Sequence, residues 1–225
     1  MTEPEERFSI PTPSGDVSAA YGRPAKAWAS IVVAHGAGVG MDHPFMAGFA
    51  RAMQAEGVAA LRFNFAYMEA GRRTPDRAPV AVAILRAAYE AAAARVRGRR
   101  EPVWASGKSF GGRMASMAVA EGMPAAGLVF LGYPLHPPGK PERVRDEHLY
   151  TITVPMLFIQ GTNDPFAAPP VLGQVLARLG PPATHHPIEG GGHSFEIRGS
   201  KQDPREVGAS LAPIAAAFMR EHLGA

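Results

Sequence analysis

The sequence predicts an α/β fold, a mostly parallel central sheet with helices packed on both of its faces. Strand and helix signals alternate along most of the chain, as they do when parallel strands are joined by helical crossovers. The inner strand candidates, such as Ile31-Val32-Val33-Ala34 and Leu128-Val129-Phe130-Leu131, are continuous apolar runs, which is what burial on both faces requires. No repeat, linker or low-complexity tract interrupts the chain, so residues 1–225 read as one domain long enough for a substantial core.

Taken in order, Phe8, Ser9 and Ile10 pair with residues 17–21 in an opening hairpin around the turn Ser14-Gly15-Asp16. After the β-branched run at residues 31–34, Asp42 is placed to cap a helix whose first turn holds Pro44 and whose apolar stripe is Phe45, Phe49 and Met53. Residues 58–65 return as a strand, with Arg62 and Asn64 as polar interruptions near its end. An alanine-rich helix is expected over residues 74–97, and its weak apolar contrast leaves the inward face unassigned. A short buried strand at 102–106 is followed by a helix at 112–121, stopped by Gly122, that offers Met114, Met117 and Ala118 to the core. Residues 128–131 and 156–159 are the next strands, and 184–188 is a weaker candidate. The last helix begins at Asp203-Pro204, carries Val207, Leu211, Ile214 and Phe218, and should kink or break at Pro213. Residues 134–150 show no periodicity, and this insertion is short enough that at most a minimal lid is expected.

With 46% hydrophobic and 19% charged residues, the chain belongs among globular proteins and not among disordered ones. It has no cysteine, which excludes disulfides, thiolate metal sites and a cysteine nucleophile, and suits a reducing cytoplasm. The N-terminus, Met1-Thr2-Glu3-Pro4-Glu5-Glu6, is acidic and leads into no apolar segment, so no secretory signal is expected. No apolar run approaches the roughly 20 residues that span a bilayer, so no membrane partner is expected. The net charge of +3 and pI of about 9.4 do not point to nucleic acid. The densest basic group, Arg95, Arg97, Arg99 and Arg100, closes a helix, where cations complement the dipole and face water, and no aromatic platform accompanies it.

The chemistry concentrates between the strand at 102–106 and the helix that follows. Gly107-Lys108-Ser109-Phe110-Gly111 spells G-x-S-x-G, and a serine in a sharp, glycine-rich strand-to-helix turn has its hydroxyl thrust above the sheet. Small residues are needed because the turn is strained and the helix packs close to neighbouring backbone. The pattern resembles the nucleophile elbow of the α/β-hydrolases. A serine hydroxyl holds its proton at neutral pH, so it needs an imidazole to take that proton and a carboxylate to fix the imidazole.

In this architecture the chain order is serine, acid, histidine, with acid and base on loops after strands. Asp164, in Gly161-Thr162-Asn163-Asp164-Pro165, directly follows a strand; Asp146, Glu147 and Glu189 are rival acids without so clear a strand before them. Asn-Asp-Pro is also a plain turn signal. Of the histidines after Asp164, His222 lies at the terminus and His185 and His186 lie within a strand. His193 follows Gly190-Gly191-Gly192, a loop able to carry an imidazole over the elbow. For the oxyanion, one donor is the backbone N–H of Phe110. The second comes from His35-Gly36-Ala37-Gly38, where Ala37 is chosen and Gly36 and Gly38 are the neighbours that could replace it.

Together these residues resemble the dienelactone-hydrolase-like branch of the α/β-hydrolases. More narrowly they are similar to small hydrolases with the motifs H-G-A-G, M-D-H-P-F-M, R-F-N-F-x-Y-M, G-K-S-x-G-G-R-M and L-G-Y-P-L-H-P-P. Here these fall at residues 35–38, 41–46, 62–68, 107–114 and 131–138. The resemblance implies Ser109, Asp164 and His193 as a triad, and His43, Asn64, Tyr67, Tyr133 and His136 near the mouth of the site. It does not carry over the dienelactone substrate, because that nucleophile is a cysteine. The implied activity is hydrolysis of a small carboxylic ester or thioester, through an acyl-enzyme and without a cofactor or metal. A short insertion and an apolar rim suggest small acyl chains.

Two other functions compete. Gly107-Lys108-Ser109 also ends a phosphate-binding loop motif, but Pro102 stands where that motif needs its first glycine. A scaffold or binding module that has kept the fold is the alternative, since fold does not fix function, although a full catalytic set weighs against it. Lys108 then reads as a polar neighbour of the elbow, paired with a carboxylate.

Overall fold

The structure, a computed structural model, describes residues 5–223. Met1 to Pro4, within the stretch read above as no secretory signal, lie outside the described residues. Strands β1 (Glu6–Ile10), β2 (Val17–Gly22), β3 (Ala29–Ala34) and β4 (Val58–Phe63) are followed by β5 (Val103–Lys108), β6 (Leu128–Leu131), β7 (Met156–Gly161) and β8 (Ala183–Ile188). They form one eight-stranded sheet in the order β1-β2-β4-β3-β5-β6-β7-β8. Only β1 with β2 and β2 with β4 pair antiparallel; every other pairing is parallel.

Strand alternation splits the core into two layers. Val32, Leu61, Ala105, Phe130 and Phe158 point to one face, and Ile31, Ala60, Trp104, Val129 and Ile159 to the other. Helices α1 (Pro44–Ala55), α6 (Pro204–Ser210) and α7 (Ala212–Glu221) cover the second face; α2 (Ala66–Glu69), α3 (Ala78–Arg95), α4 (Phe110–Ala120) and α5 (Pro169–Leu179) cover the first. The predicted break at Pro213 is the junction of α6 and α7, and Asp203 caps α6 by accepting from the Arg205 N–H at 2.8 Å. Between β6 and β7 the only regular element is a 3-10 turn, Glu147–Thr151, in line with the expected minimal lid.

Several local expectations need correction. Asp42 does not cap α1: its carboxylate is taken by Arg7 at 2.8 Å and Arg62 at 3.1 Å, and His43 caps instead, Nδ1 accepting from the Phe45 N–H. Arg62 does not interrupt β4; it lies buried within it, paired to Glu5 at 2.6 Å. The long helix starts at Ala78 and not at residue 74, because Asp76 turns back to accept the Tyr67 N–H at 3.0 Å and holds a loop there. Arg95 is no bare solvated helix end: it stacks on Phe8, 3.8 Å from the ring centre, and pairs with Glu6. Helix α5 and the single turn α2 are additional elements.

Candidate active site

The carboxyl ends of β5, β7 and β8 converge on one rim of the sheet. At the end of β5 the chain turns straight into α4 through Ser109, whose φ of 49° and ψ of −113° are unusual for a residue with a side chain. Such a conformation costs on the order of 1–3 kcal/mol and persists only where its surroundings enforce it. Here they do. A Cβ on Gly107 would sit 2.3 Å from the Gly111 carbonyl carbon, and one on Gly111 would sit 2.4 Å from the Ala34 carbonyl oxygen. Glycine at both positions lets α4 close against β5 and β3.

Asp164 follows β7 and is almost wholly buried. Its Oδ1 accepts from the Phe166 N–H at 2.8 Å, and its Oδ2 accepts from the Gln160 amide and faces His193 Nδ1 at 2.7 Å. The second imidazole nitrogen, His193 Nε2, stands 2.7 Å from Ser109 Oγ. The three side chains therefore meet in one line although 84 positions in the chain separate Ser109 from His193. The carboxylate accepts only, so Nδ1 carries the hydrogen and Nε2 is left to accept from the serine hydroxyl.

The loop bearing His193 is anchored on each side. Phe195, with φ of 65°, is buried and stacks parallel to Phe45, ring centres 6.0 Å apart. Phe166 lies against the imidazole at 4.5 Å. The sequence reading paired Lys108 with a carboxylate; instead its ammonium donates to the His193 carbonyl at 2.8 Å. Burial pulls the Lys108 pKa down to about 8, against the opposing attraction of Asp164 and Glu196. Gln160 is the further residue that sequence reading missed: its Oε1 accepts from the Tyr133 N–H at 2.7 Å, which turns its amide nitrogen towards Asp164. A lone amide at the end of an apolar buried strand is the signal that could have found it.

Ser109, His193, Ala37 and Phe110 line a cavity of about 1090 Å³. His43 and His136 also face it, whereas Asn64, Tyr67 and Tyr133 support its walls from behind. Asn64 accepts from the Met41 N–H and donates to Glu69; the Tyr67 hydroxyl donates to the Gly36 carbonyl at 3.3 Å. His35 braces the same loop: Nδ1 donates to the Gly36 carbonyl and Nε2 accepts from the Phe65 N–H, and burial holds its pKa near 4. Tyr133 forms a buried cluster with Ser116 and His148. Among the described residues no group of three or more His, Asp or Glu is placed to hold a metal ion, and no helix is long and apolar enough to cross a membrane.

A serine raised on a strand-to-helix turn above a mostly parallel sheet, with an imidazole and a carboxylate delivered by later loops, defines the α/β-hydrolase class. The sequence comparison agrees: residues 27–220 match the family described as alpha/beta hydrolase domain, and the chain belongs to that family. Among solved structures, it is similar to a lidless α/β serine hydrolase from Xanthomonas campestris, with 21% identity, TM-score 0.76, and coverage of 99% of this chain and 96% of that one. A dienelactone hydrolase from Anabaena variabilis is 19% identical with TM-score 0.73, covering 98% of each chain. The esterase domain of a Rhodothermus marinus protein is 16% identical with TM-score 0.75, covering 99% of this chain and all (100%) of that domain.

Proposed function

We propose that the protein is a serine hydrolase that cleaves a carboxylic ester or thioester of a small substrate, residues 1–225 acting as a single domain. The observation that carries this reading is the pair of 2.7 Å contacts linking Ser109 Oγ, His193 and Asp164 beside an open cavity. Ser109 Oγ attacks the substrate carbonyl carbon as its proton passes to His193 Nε2. Asp164, buried and acceptor-only, stabilises the imidazolium that forms.

The carbonyl oxygen becomes an oxyanion, for which the backbone N–H groups of Ala37 and Phe110 are the donors. Phe110 opens α4, where the first N–H groups have no partner within the helix. The tetrahedral intermediate then collapses: the bond to the leaving oxygen or sulfur breaks, and His193 gives its proton to the departing alcohol or thiol. Water attacks the acyl-Ser109, loses its proton to His193, and the free acid leaves as that proton returns to Ser109. Every step is covered by these side chains, so no cofactor is needed. A chain without cysteines suits a reducing cytoplasm, and we assign the activity to that compartment.

A fluorophosphonate probe tests the reading. Labelling at Ser109, abolished in Ser109→Ala and strongly slowed in His193→Ala, is expected. A folded wild type that resists the probe and cleaves no short-chain p-nitrophenyl ester would instead be the binding module the fold also permits.

A further inference from the structure

The cavity wall carries two arginines that no acidic side chain neutralises. Arg113 stands one turn beyond Ser109 on α4, and Arg145 lies in the segment after β6, its backbone N–H held by the Leu135 carbonyl at 2.8 Å. Among the described residues the other buried or half-buried arginines, Arg23, Arg62, Arg86 and Arg95, each meet a carboxylate. Arg113 and Arg145 meet none. The Arg113 guanidinium has one side-chain hydrogen bond, to the Met117 sulfur at 3.1 Å, and the Nε atoms of both arginines are buried without an acceptor.

The acids nearby are already engaged. Asp76 accepts from Arg72 and the Tyr67 N–H, Glu196 from the Ser194 N–H, Asp146 from the Tyr150 hydroxyl, and Asp164 from His193. Of the other cations on the wall, Lys108 is committed to the His193 carbonyl and Lys201 is exposed at the rim. Burial, and then the adjacent charge of Arg113, pull the Arg145 guanidinium below its ordinary pKa, so the two cations are close enough to repel. Half-buried, mutually repelling guanidiniums without acceptors are costly unless an anion joins them.

We propose that Arg113 and Arg145 form an anion-binding subsite, and that the substrate carries a carboxylate or phosphate group that seats there while its carbonyl lies at Ser109. The second half of this statement rests on the hydrolase reading; the first does not. Guanidinium forks match the oxygen spacing of carboxylate and phosphate alike. Ser109, Arg113 and Arg145 line one cavity, so a small substrate with both an ester carbonyl and an anionic group can present each to its own partner at once. A half-ester of a short dicarboxylic acid has that shape.

The test pairs monoethyl glutarate with its neutral counterpart ethyl pentanoate, reading kcat/KM from released ethanol. The half-ester should be preferred by about tenfold or more, equivalent to about 1.4 kcal/mol. Arg145→Met, in a segment between elements, and Arg113→Met should each bring the ratio towards one, with Arg145→Lys keeping part of it. Wild-type ratios near one, or a high ratio that survives both substitutions, overturn the proposal. Calorimetric titration of the same proteins with glutarate and with methyl phosphate decides the case if neither ester is cleaved. Saturable binding lost in both variants upholds the subsite, and no binding of either anion by wild type refutes it. Fluorophosphonate labelling of those samples reports separately on the hydrolase reading.

Discussion

The sharpest perturbation of the site changes no functional side chain. Gly161 ends β7, and the loop carrying His193 crosses it so closely that a Cβ there would lie 2.2 Å from the Gly191 carbonyl oxygen and 2.5 Å from that of Gly192. Backbone hydrogen bonds fasten the two loops at the same place: Asn163 N–H to the Gly191 carbonyl at 2.9 Å and Gly190 N–H to the Thr162 hydroxyl at 2.9 Å. In Gly161→Ala the histidine loop must withdraw by a little over 1 Å, the gap between 2.2 Å and the 3.4 Å at which ordinary contact begins. His193 is one residue beyond Gly192, so its 2.7 Å contact with Ser109 would open to nearly 4 Å, past hydrogen-bonding range.

A displacement of that size costs about 10²-fold in rate. Overpacking of a dense interior adds about 1–3 kcal/mol of lost stability. Steady-state hydrolysis of p-nitrophenyl acetate and the rate of fluorophosphonate labelling should fall together, while circular dichroism stays that of the wild type. Gly173→Ala is the matched control: nothing lies within 4 Å of its Cβ, it sits within α5, and it should gain about 0.5–1 kcal/mol without loss of activity. Gly161→Ala retaining activity within about twofold, against the ~10²-fold loss argued here, would show that the loop is not held by this contact.

Other outcomes follow from the same contacts. Gln160→Leu keeps the volume but leaves the Tyr133 N–H without its acceptor and Asp164 without its amide donor, at about 1–3 kcal/mol for each buried group; kcat should drop more than KM rises, and thermal unfolding should come earlier. Lys108 has a folded pKa of about 8 against an ordinary 10.5, so the unfolded chain binds its proton more tightly and stability should rise with pH between those values, by about 3 kcal/mol. Denaturant titrations in that window should lose this rise in Lys108→Met. His35 and His148 are both held near pH 4 by burial, so they stay neutral where the unfolded chain would protonate them; stability should fall as pH drops from 6.5 towards 4, and less steeply in His148→Gln.

The sheet was largely readable because its inner strands are apolar on both faces, and such runs carry their own signature. Helix α5 was hidden by its opening. Pro169-Pro170 reads as loop, yet prolines in a first turn cost no internal hydrogen bond, and Leu172 and Val175 beyond them fall on one buried face. The four residues of α2 are too few to show any period. Helix α3 began late for a reason no propensity reveals, the tertiary claim of the Tyr67 N–H on Asp76.

The site divides along the same line. Ser109, Asp164 and His193 stand out because each sits in a local pattern with its own chemical sense: a glycine-framed turn, an acid after a strand, an imidazole after a glycine run. Their supports do not. Gln160, Phe195 and Arg145 matter through partners 27, 150 and 32 positions away in the chain: the Tyr133 N–H, the Phe45 ring and the neighbouring Arg113. None of these partnerships leaves a periodicity or a motif. Even so, two of them carry an inconsistency: Gln160 is an amide in a buried strand, and Arg145 is a half-buried cation that no carboxylate pairs. A sequence locally at odds with its surroundings points to function, because elsewhere such conflicts only cost stability. Among the described residues the two unneutralised arginines are such a conflict beside the site, and the charge they lack is what the proposed substrate would bring.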